Sequence, residues 1–239
     1  MSIKLKIKQK FGPVLFQINS AIKTKERNRK NKVIFNRFSE FTMIPKQFYL
    51  GNLELAYKVK GINGAIVECG VWRGGMIAGA ASILGKERDY YLFDSFEGLP
   101  KASEIDGVDA NNWQLDTKSE GYFNNCKAEI EFANKAMSMV NLNENNIHII
   151  KGWFNESLAN GNYNFPIAML RLDGDWYEST ITCLQYLFSN VVPGGLIIID
   201  DYYTWEGCAK AVHDYLSKNG RPERIYQYNN SIAYLIKSA

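Results

Sequence analysis

The chain has 239 residues, 46% of them hydrophobic, and a formal charge of +3; that length supports one well-filled core. It contains no run of 18 apolar residues, which excludes a simple membrane-spanning helix, and its N-terminus lacks the apolar stretch of a secretory leader. The charge is lopsided: residues 1–32 carry ten Lys/Arg against one acid, Glu26, while the remainder carries 18 against 24, so the main body is mildly acidic and no nucleic-acid binder is expected.

In chain order, residues 1–32 read as a separate basic arm ahead of a single folded domain over 33–239. The residues Phe11, Val14, Leu15, Ile18 and Ile22 repeat at helical spacing, with Pro13 at a plausible helix start. Such an amphipathic helix fits a solvated arm, a subunit contact or peripheral contact with an anionic membrane. "KTKERNRKNK" (23–32) reads as a linker. "PKQFYLGNLELAYKVK" (45–60) reads as a helix, "AIVECG" (65–70) as a buried strand, and "MIAGAASILG" (76–85) as a helix after a glycine-rich turn. "YYLFDS" (90–95) is a second strand. Residues 97–123 are polar and irregular, long enough for a lid, with Trp113, Tyr122 and Phe123 available to stack on a ligand or to pack beneath the loop. A helix at about 124–141 follows, with Ile130, Ala133, Met137 and Val140 on one face. "NIHIIKG" and "IAMLRLD" are the third and fourth strands. "STITCLQYLFSNV" is a helix with Ser179 or Thr180 as its cap, and "PGG" turns into a fifth strand, "LIIID". "GCAKAVHDYLSKNG" is the last helix, with Gly220 at its C-terminal end. "ERIYQY" and "SIAYLIK" form a terminal hairpin.

Strands alternating with helices, with near-continuous apolar strands, predict an α/β fold: a doubly wound, mostly parallel, seven-stranded Rossmann-like sheet with a C-terminal antiparallel hairpin. Ligands in such sheets bind beyond the carboxyl ends of the strands. Here those ends read Glu68-Cys69-Gly70, Asp94-Ser95, Gly152-Trp153, Asp173-Gly174-Asp175 and Asp200-Asp201. Cys69, Cys126, Cys183 and Cys208 form no C-x-x-C pair and match no zinc spacing, so reduced, buried thiols in a cytoplasmic protein are expected.

The first turn, "VECGVWRGG", has Gly70, Gly74 and Gly75 in the pattern G-x-x-x-G-G. Trp72 stands where a dinucleotide fingerprint has its second glycine, which argues against a pyrophosphate on the turn. Asp94, at the end of the second strand, suits a ribose. Together they favour S-adenosylmethionine over a nicotinamide dinucleotide; the alternative is that Gly74 and Gly75 only permit tight helix–strand packing. Glu68 either holds the turn or meets the methionine amino group, and Arg73 either reaches a cofactor carboxylate or stays on the surface.

The fourth and fifth strands read as neighbours, about 4.8 Å apart, so Asp173, Asp200 and Asp201 converge. Converging carboxylates repel unless a cation joins them or some are protonated. Oxygen ligands with no His or Cys nearby suit Mg²⁺. A cation eases ionisation of an alcohol, and Asp175, just past Gly174, is the candidate base. Asp200-Asp201 could instead cap a helix and Asp175 could be a supporting residue, while Tyr177, Tyr202 and Tyr203 either touch substrate or pack. His148 reads as structural, and neither it nor His213 is the expected base.

"VECGVWRGG", "YLFDSFEGLP", "KGWF", "RLDGDWYEST" and "GGLIIIDDY", in this order and spacing, resemble the macrocin O-methyltransferase (TylF-type) family, from about residue 41 to the C-terminus. The basic arm lies outside the pattern that resembles it. The resemblance implies a class I methyltransferase fold and Mg²⁺-dependent, S-adenosylmethionine-dependent O-methylation of a sugar hydroxyl on a glycan or glycosylated natural product, by a homo-oligomer. It implies cofactor contacts from Glu68, Gly70, Gly74, Gly75, Asp94, Ser95, Gly152, Trp153 and Asp173, with Trp153 and Phe154 flanking the adenine. It also implies metal ligands Asp173, Asp200 and Asp201, and Asp175 as base. The alternatives are methylation of another vicinal diol, such as a catechol, and a cofactor-binding protein without turnover.

Overall fold

The computed structural model describes residues 23–239. Its centre is a seven-stranded sheet in the order β3-β2-β1-β4-β5-β7-β6. The strands are β1 (Ala65–Cys69), β2 (Tyr90–Asp94), β3 (Ile147–Lys151), β4 (Ile167–Leu172), β5 (Val191–Ile199), β6 (Tyr226–Tyr228) and β7 (Ile232–Ile236). β1 to β5 are parallel, and β7 runs antiparallel to both β5 and β6, as the terminal hairpin requires. β5 starts before the expected turn: Val191 already pairs with Ile167, and the "PGG" segment is absorbed as a register shift before Leu196 meets Met169.

Strand alternation divides the core between the two faces of the sheet. Ile66, Leu92, Met169 and Ile198 pack with Tyr49, Leu53, Ile77 and Met137 on one face. Val67, Phe93, Leu170 and Ile197 pack with Leu184, Leu187, Val212 and Leu216 on the other. The chain runs outward from β1 to β3 and then crosses back to β4, so the switch point lies between the ends of β1 and β4.

Three expected elements differ. Residues 23–38 are helical, not a linker. Ile34 and Phe38 face the core, Asn31 is buried, and Arg27 pairs with Glu54 at 2.9 Å. The dense charge of this segment is the solvated face of a helix. The helical spacing read over Phe11–Ile22 lies outside the described residues. Within the insertion, a helix spans Gly107–Leu115. The helix expected at about 124 starts only at Ile130 and ends at Ser138, because Phe123, Asn124, Asn125 and Cys126 all have positive φ, from 48° to 57°. A run of left-handed residues cannot join a right-handed helix, and two of the four are Asn, which tolerates that conformation best after Gly.

Candidate active site

Gly70 ends β1 with φ of 88°, and a Cβ there would lie 1.7 Å from the Asp173 carbonyl oxygen. Only glycine lets the ends of β1 and β4 approach so closely; the Asp173 N–H donates to the Cys69 carbonyl at 2.8 Å. Gly75 meets the Phe41 carbonyl in the same way, at 2.4 Å from a built Cβ, so this glycine serves close packing of the chain. Gly74, with φ of 78°, precedes the helix Gly75–Leu84. Trp72 itself has φ of 48° and lines the cavity described below.

Asp94 clasps this turn. Its Oδ2 accepts from the backbone N–H of Val71 and of Trp72, both at 2.8 Å, and its Oδ1 accepts from Phe96 N–H at 2.6 Å. Burial pushes its pKa up, against the pull of those three donors. Ser95 closes the next turn, donating to the Gly98 carbonyl at 2.9 Å. The Gly152 N–H, at the end of β3, donates to the Asp94 carbonyl at 2.9 Å and brings Trp153 to the cavity wall.

Beneath the crevice lies Arg171, 1% exposed, on β4. Its Nη1 is 2.7 Å from both Glu68 Oε1 and Asp173 Oδ2, its Nη2 is 2.6 Å from Asp200 Oδ1, and its Nε donates to Asn52 Oδ1 at 3.2 Å. Glu68 also accepts from the Ile77 N–H at 3.1 Å; burial raises its pKa to about 7, opposed by Arg171. The sequence reading missed Arg171 and Asn52. The available signal was a cation inside an otherwise apolar strand, which survives burial only with charged partners.

Asp173, Asp175 and Asp201 each offer an oxygen within 4.8 Å of the others. Asp200, expected beside them, turns instead to Arg171. Neither acid of the pair caps the following helix Glu206–Lys218 through its side chain; only the Asp201 carbonyl accepts from the N–H groups of Thr204 and Trp205. Asp175 adopts φ of 58°, donates its N–H to Asp201 Oδ2 at 3.2 Å, and accepts from the Trp205 indole at Oδ1, 2.9 Å away. Burial raises the pKa of Asp173 to about 6, with Arg171 opposing and Asp200 adding to the rise. Burial and then Asp173 raise Asp175 to about 7, while Trp205 opposes. Burial and then Asp175 push Asp201 up strongly. Three converging carboxylates, Asp201 buried and Asp173 and Asp175 partly so, either retain protons or gather round a cation, and an all-oxygen donor set fits Mg²⁺.

The strand ends open into a cavity of about 950 Å³. The indoles of Trp113, Trp176 and Trp205 form part of its structure, with centroids 5.3–6.1 Å apart; Trp113 and Trp205 line the cavity, and Trp176 packs behind them. Trp176 donates to the Pro100 carbonyl at 2.9 Å and so ties the insertion to the fourth strand's end, and within the insertion Trp113 donates to the Gly121 carbonyl at 3.1 Å. Tyr122 packs on Trp113, and Tyr177 donates to Asp214 at 3.0 Å. Arg73 is sandwiched between the Trp72 and Phe132 rings. His148 stacks on Tyr91, and His213 meets the Tyr202 hydroxyl at 2.8 Å.

The expected caps Ser179 and Thr180 lie inside the helix Tyr177–Leu187. Asp106, from the insertion, takes the first N–H instead, accepting from Tyr177 N at 2.7 Å while its other oxygen accepts from Ser103 N at 2.8 Å. A cap supplied from 71 residues away leaves no local sequence signature.

This strand order, with its single antiparallel strand beside β5, a glycine turn clasped by an acid, and an acid-lined crevice at the switch point, defines a class I methyltransferase. The chain belongs to the macrocin-O-methyltransferase (TylF) family, which it matches over residues 10–237. Most of the basic arm is therefore inside the family pattern, contrary to the boundary suggested by the five motifs. The chain is 30% identical over 183 residues to the mycinamicin III 3''-O-methyltransferase of Micromonospora griseorubida, covering 75% of this chain and 70% of that protein. It is 31% identical over 175 residues to the 8-demethyl-8-(2,3-dimethoxy-alpha-L-rhamnosyl)-tetracenomycin-C 4'-O-methyltransferase of Streptomyces olivaceus, covering 72% and 65%. The solved structure of the O-methyltransferase NovP superposes with a TM-score of 0.70 at 26% identity, covering 83% of each chain. Family and fold together make this an O-methyltransferase of the S-adenosylmethionine-binding class.

Proposed function

We propose that the protein methylates a sugar hydroxyl of a glycosylated acceptor, using S-adenosylmethionine and Mg²⁺. The observation that carries this reading is the convergence of Asp173, Asp175 and Asp201 within 4.8 Å at the switch point of the sheet. Glu68, Gly70, Asp94, Ser95, Gly152 and Trp153 bound the cofactor half of the cavity, and Gly74 and Gly75 act through close packing of the turn. Asp173 and Asp201 would hold the cation, while Asp200 completes the charge balance of Arg171. The cation supplies positive charge that eases ionisation of the acceptor hydroxyl. Asp175 takes the hydroxyl proton on the oxygen that Trp205 leaves free. The new O–CH₃ bond forms as the S–CH₃ bond breaks, and its electron pair stays on sulfur to give the neutral thioether. The sulfonium is its own leaving group, so the chain's task is alignment and charge placement.

The test is methyl transfer from labelled S-adenosylmethionine to glycoside acceptors in EDTA and after Mg²⁺ addition, for the wild type and for Asp201→Ala. Activity should need Mg²⁺ and be lost in the variant. Full turnover in EDTA would remove the cation from this reading. The same reading takes the protein as a cytoplasmic homo-oligomer with the basic arm at a subunit or membrane surface; it is supported by family resemblance and by the charge pattern of residues 1–32.

A further inference from the structure

A carboxylate that is to accept a proton must keep one oxygen in a fixed place, and an aspartate does not do so unaided. Its terminal torsion is broad, so the two oxygens swing unless a donor pins one of them. Among the described residues, the carboxylate of Asp175 has a single hydrogen-bond donor, the Trp205 indole N–H, 2.9 Å from Oδ1. The backbone N–H of Asp175 is spent on Asp201. Asp173 and Asp201, the two acids that converge with it, have no proton to donate once ionised.

Trp205 is itself held from several directions. Its backbone N–H donates to the Asp201 carbonyl at 2.9 Å. Its ring meets Trp176 at 5.3 Å and Trp113 at 6.0 Å, edge to face in both pairs. The next residue, Glu206, lies against the insertion, where a Cβ on Gly107 would come within 2.7 Å of its Oε2. Trp205 stands just before the helix Glu206–Lys218, yet its side chain makes no capping hydrogen bond there. The one polar atom of the ring is therefore spent on Asp175. An indole donates and never accepts, so it cannot take the proton whose destination it helps to fix. With only two side-chain torsions it also gives up little freedom in holding that place.

Resting on the reading of Asp175 as the base, we propose that Trp205 is a positioning residue: its indole N–H pins Oδ1 of Asp175 and thereby presents Oδ2 to the acceptor hydroxyl. The hydroxyl proton passes to Asp175, and Trp205 acts through that carboxylate alone. Its ring and its N–H have separable parts, since the ring forms cavity wall and the N–H anchors the base. A base that is present but free to rotate lowers the rate of the chemical step and leaves ground-state binding in place. Trp113 backs the Trp205 ring, so the packing of the insertion reaches the base through two indoles.

The experiment compares the full-length wild type, Trp205→Phe, Asp175→Asn and the double variant, with labelled S-adenosylmethionine, Mg²⁺ and a phenyl hexoside that the wild type methylates. Rates are taken on the pH plateau, so that a change in ionisation is not read as one in position. Phenylalanine keeps a ring against Trp113 and Trp176 and removes only the donor. Trp205→Phe should lower kcat about 10–100-fold while KM for the hexoside stays within about twofold. The double variant should be no slower than Asp175→Asn, because the two side chains act as one unit. A second arm needs neither an acceptor nor a folded Trp205 variant. With ¹⁵N-labelled indoles, the Trp205 N–H resonance, assigned through its own backbone, should move upfield in Asp175→Asn, where a neutral acceptor replaces a charged one, while those of Trp113 and Trp176 stay in place. An unmoved Trp205 resonance would overturn the proposal. So would full turnover in Trp205→Phe beside a slow Asp175→Asn, or losses that multiply in the double variant. Full turnover in Asp175→Asn would sink the base reading first, and this proposal with it.

Discussion

Asp175 occupies a left-handed backbone position, φ of 58°, which costs a side-chain-bearing residue roughly 1–2 kcal/mol. The strain aims its carboxylate at Asp201 and at the Trp205 indole rather than along the strand. Asparagine tolerates the same backbone and keeps an oxygen for the indole, but it cannot accept the hydroxyl proton. Asp175→Asn should therefore bind S-adenosylhomocysteine normally while turnover falls about 10²–10⁴-fold, the usual span for a general base. Cofactor titration and single-turnover methyl transfer would check both halves, and undiminished turnover would remove Asp175 from the role. The strand-end acids were legible at this scale because a carboxylate closing an apolar run has few structural uses. The division of labour between Asp200 and Asp201 was not. Adjacent residues point to opposite sides, and Asp200 is claimed by Arg171, a partner recognisable only once β4 and β5 are side by side.

At the scale of elements, the insertion acts as a fixed part of the wall. Asp106 joins it to the start of the Tyr177–Leu187 helix, and Trp113 and Trp176 donate to its backbone. Asp106 is 3% exposed, and a Cβ on Gly207 would lie 2.2 Å from its Oδ1, so the Glu206–Lys218 helix is moulded to it as well. Asp106→Ala strips the partner from the Tyr177 and Ser103 N–H groups. The expected loss is about 1–3 kcal/mol in chemical denaturation, with KM for the acceptor rising more than kcat falls. An unchanged KM would mean the insertion is not held by this link. Regular elements were readable from periodicity. The insertion's helix and the left-handed turn at 123–126 were not, since polar composition and a run of Asn carry no period. The linker expected over 23–32 is helical for a different reason: its dense charge is one solvated face of a helix that runs on to residue 38, and the residues that anchor it, Ile34 and Phe38 at i, i+4 spacing, lie beyond the charged run.

For the whole molecule, the acid cluster couples folding to protons and, on the proposed reading, to a cation. Burial raises Glu68 and Asp175 to about 7 and Asp173 to about 6, all above the range of about 4 that these carboxylates have in an unfolded chain. Between those values the folded protein binds more protons than the unfolded chain. The cluster therefore contributes a fall in the stability of the cation-free protein as pH rises from about 4 to about 7, the reverse of what Glu223, held low beside Arg221, contributes at lower pH. On the proposed reading, Mg²⁺ would bind the ionised cluster of the native state alone and would add stability by mass action, most strongly where protons no longer compete. Melting in EDTA should thus give a Tm that drops by several degrees from pH 5 to pH 8, and saturating Mg²⁺ should remove most of that drop. The Asp201→Ala variant, with one buried carboxylate fewer, should show a shallower slope in EDTA and little response to Mg²⁺. Parallel Tm curves with and without Mg²⁺ would mean that the three carboxylates do not take up the cation, whatever their convergence.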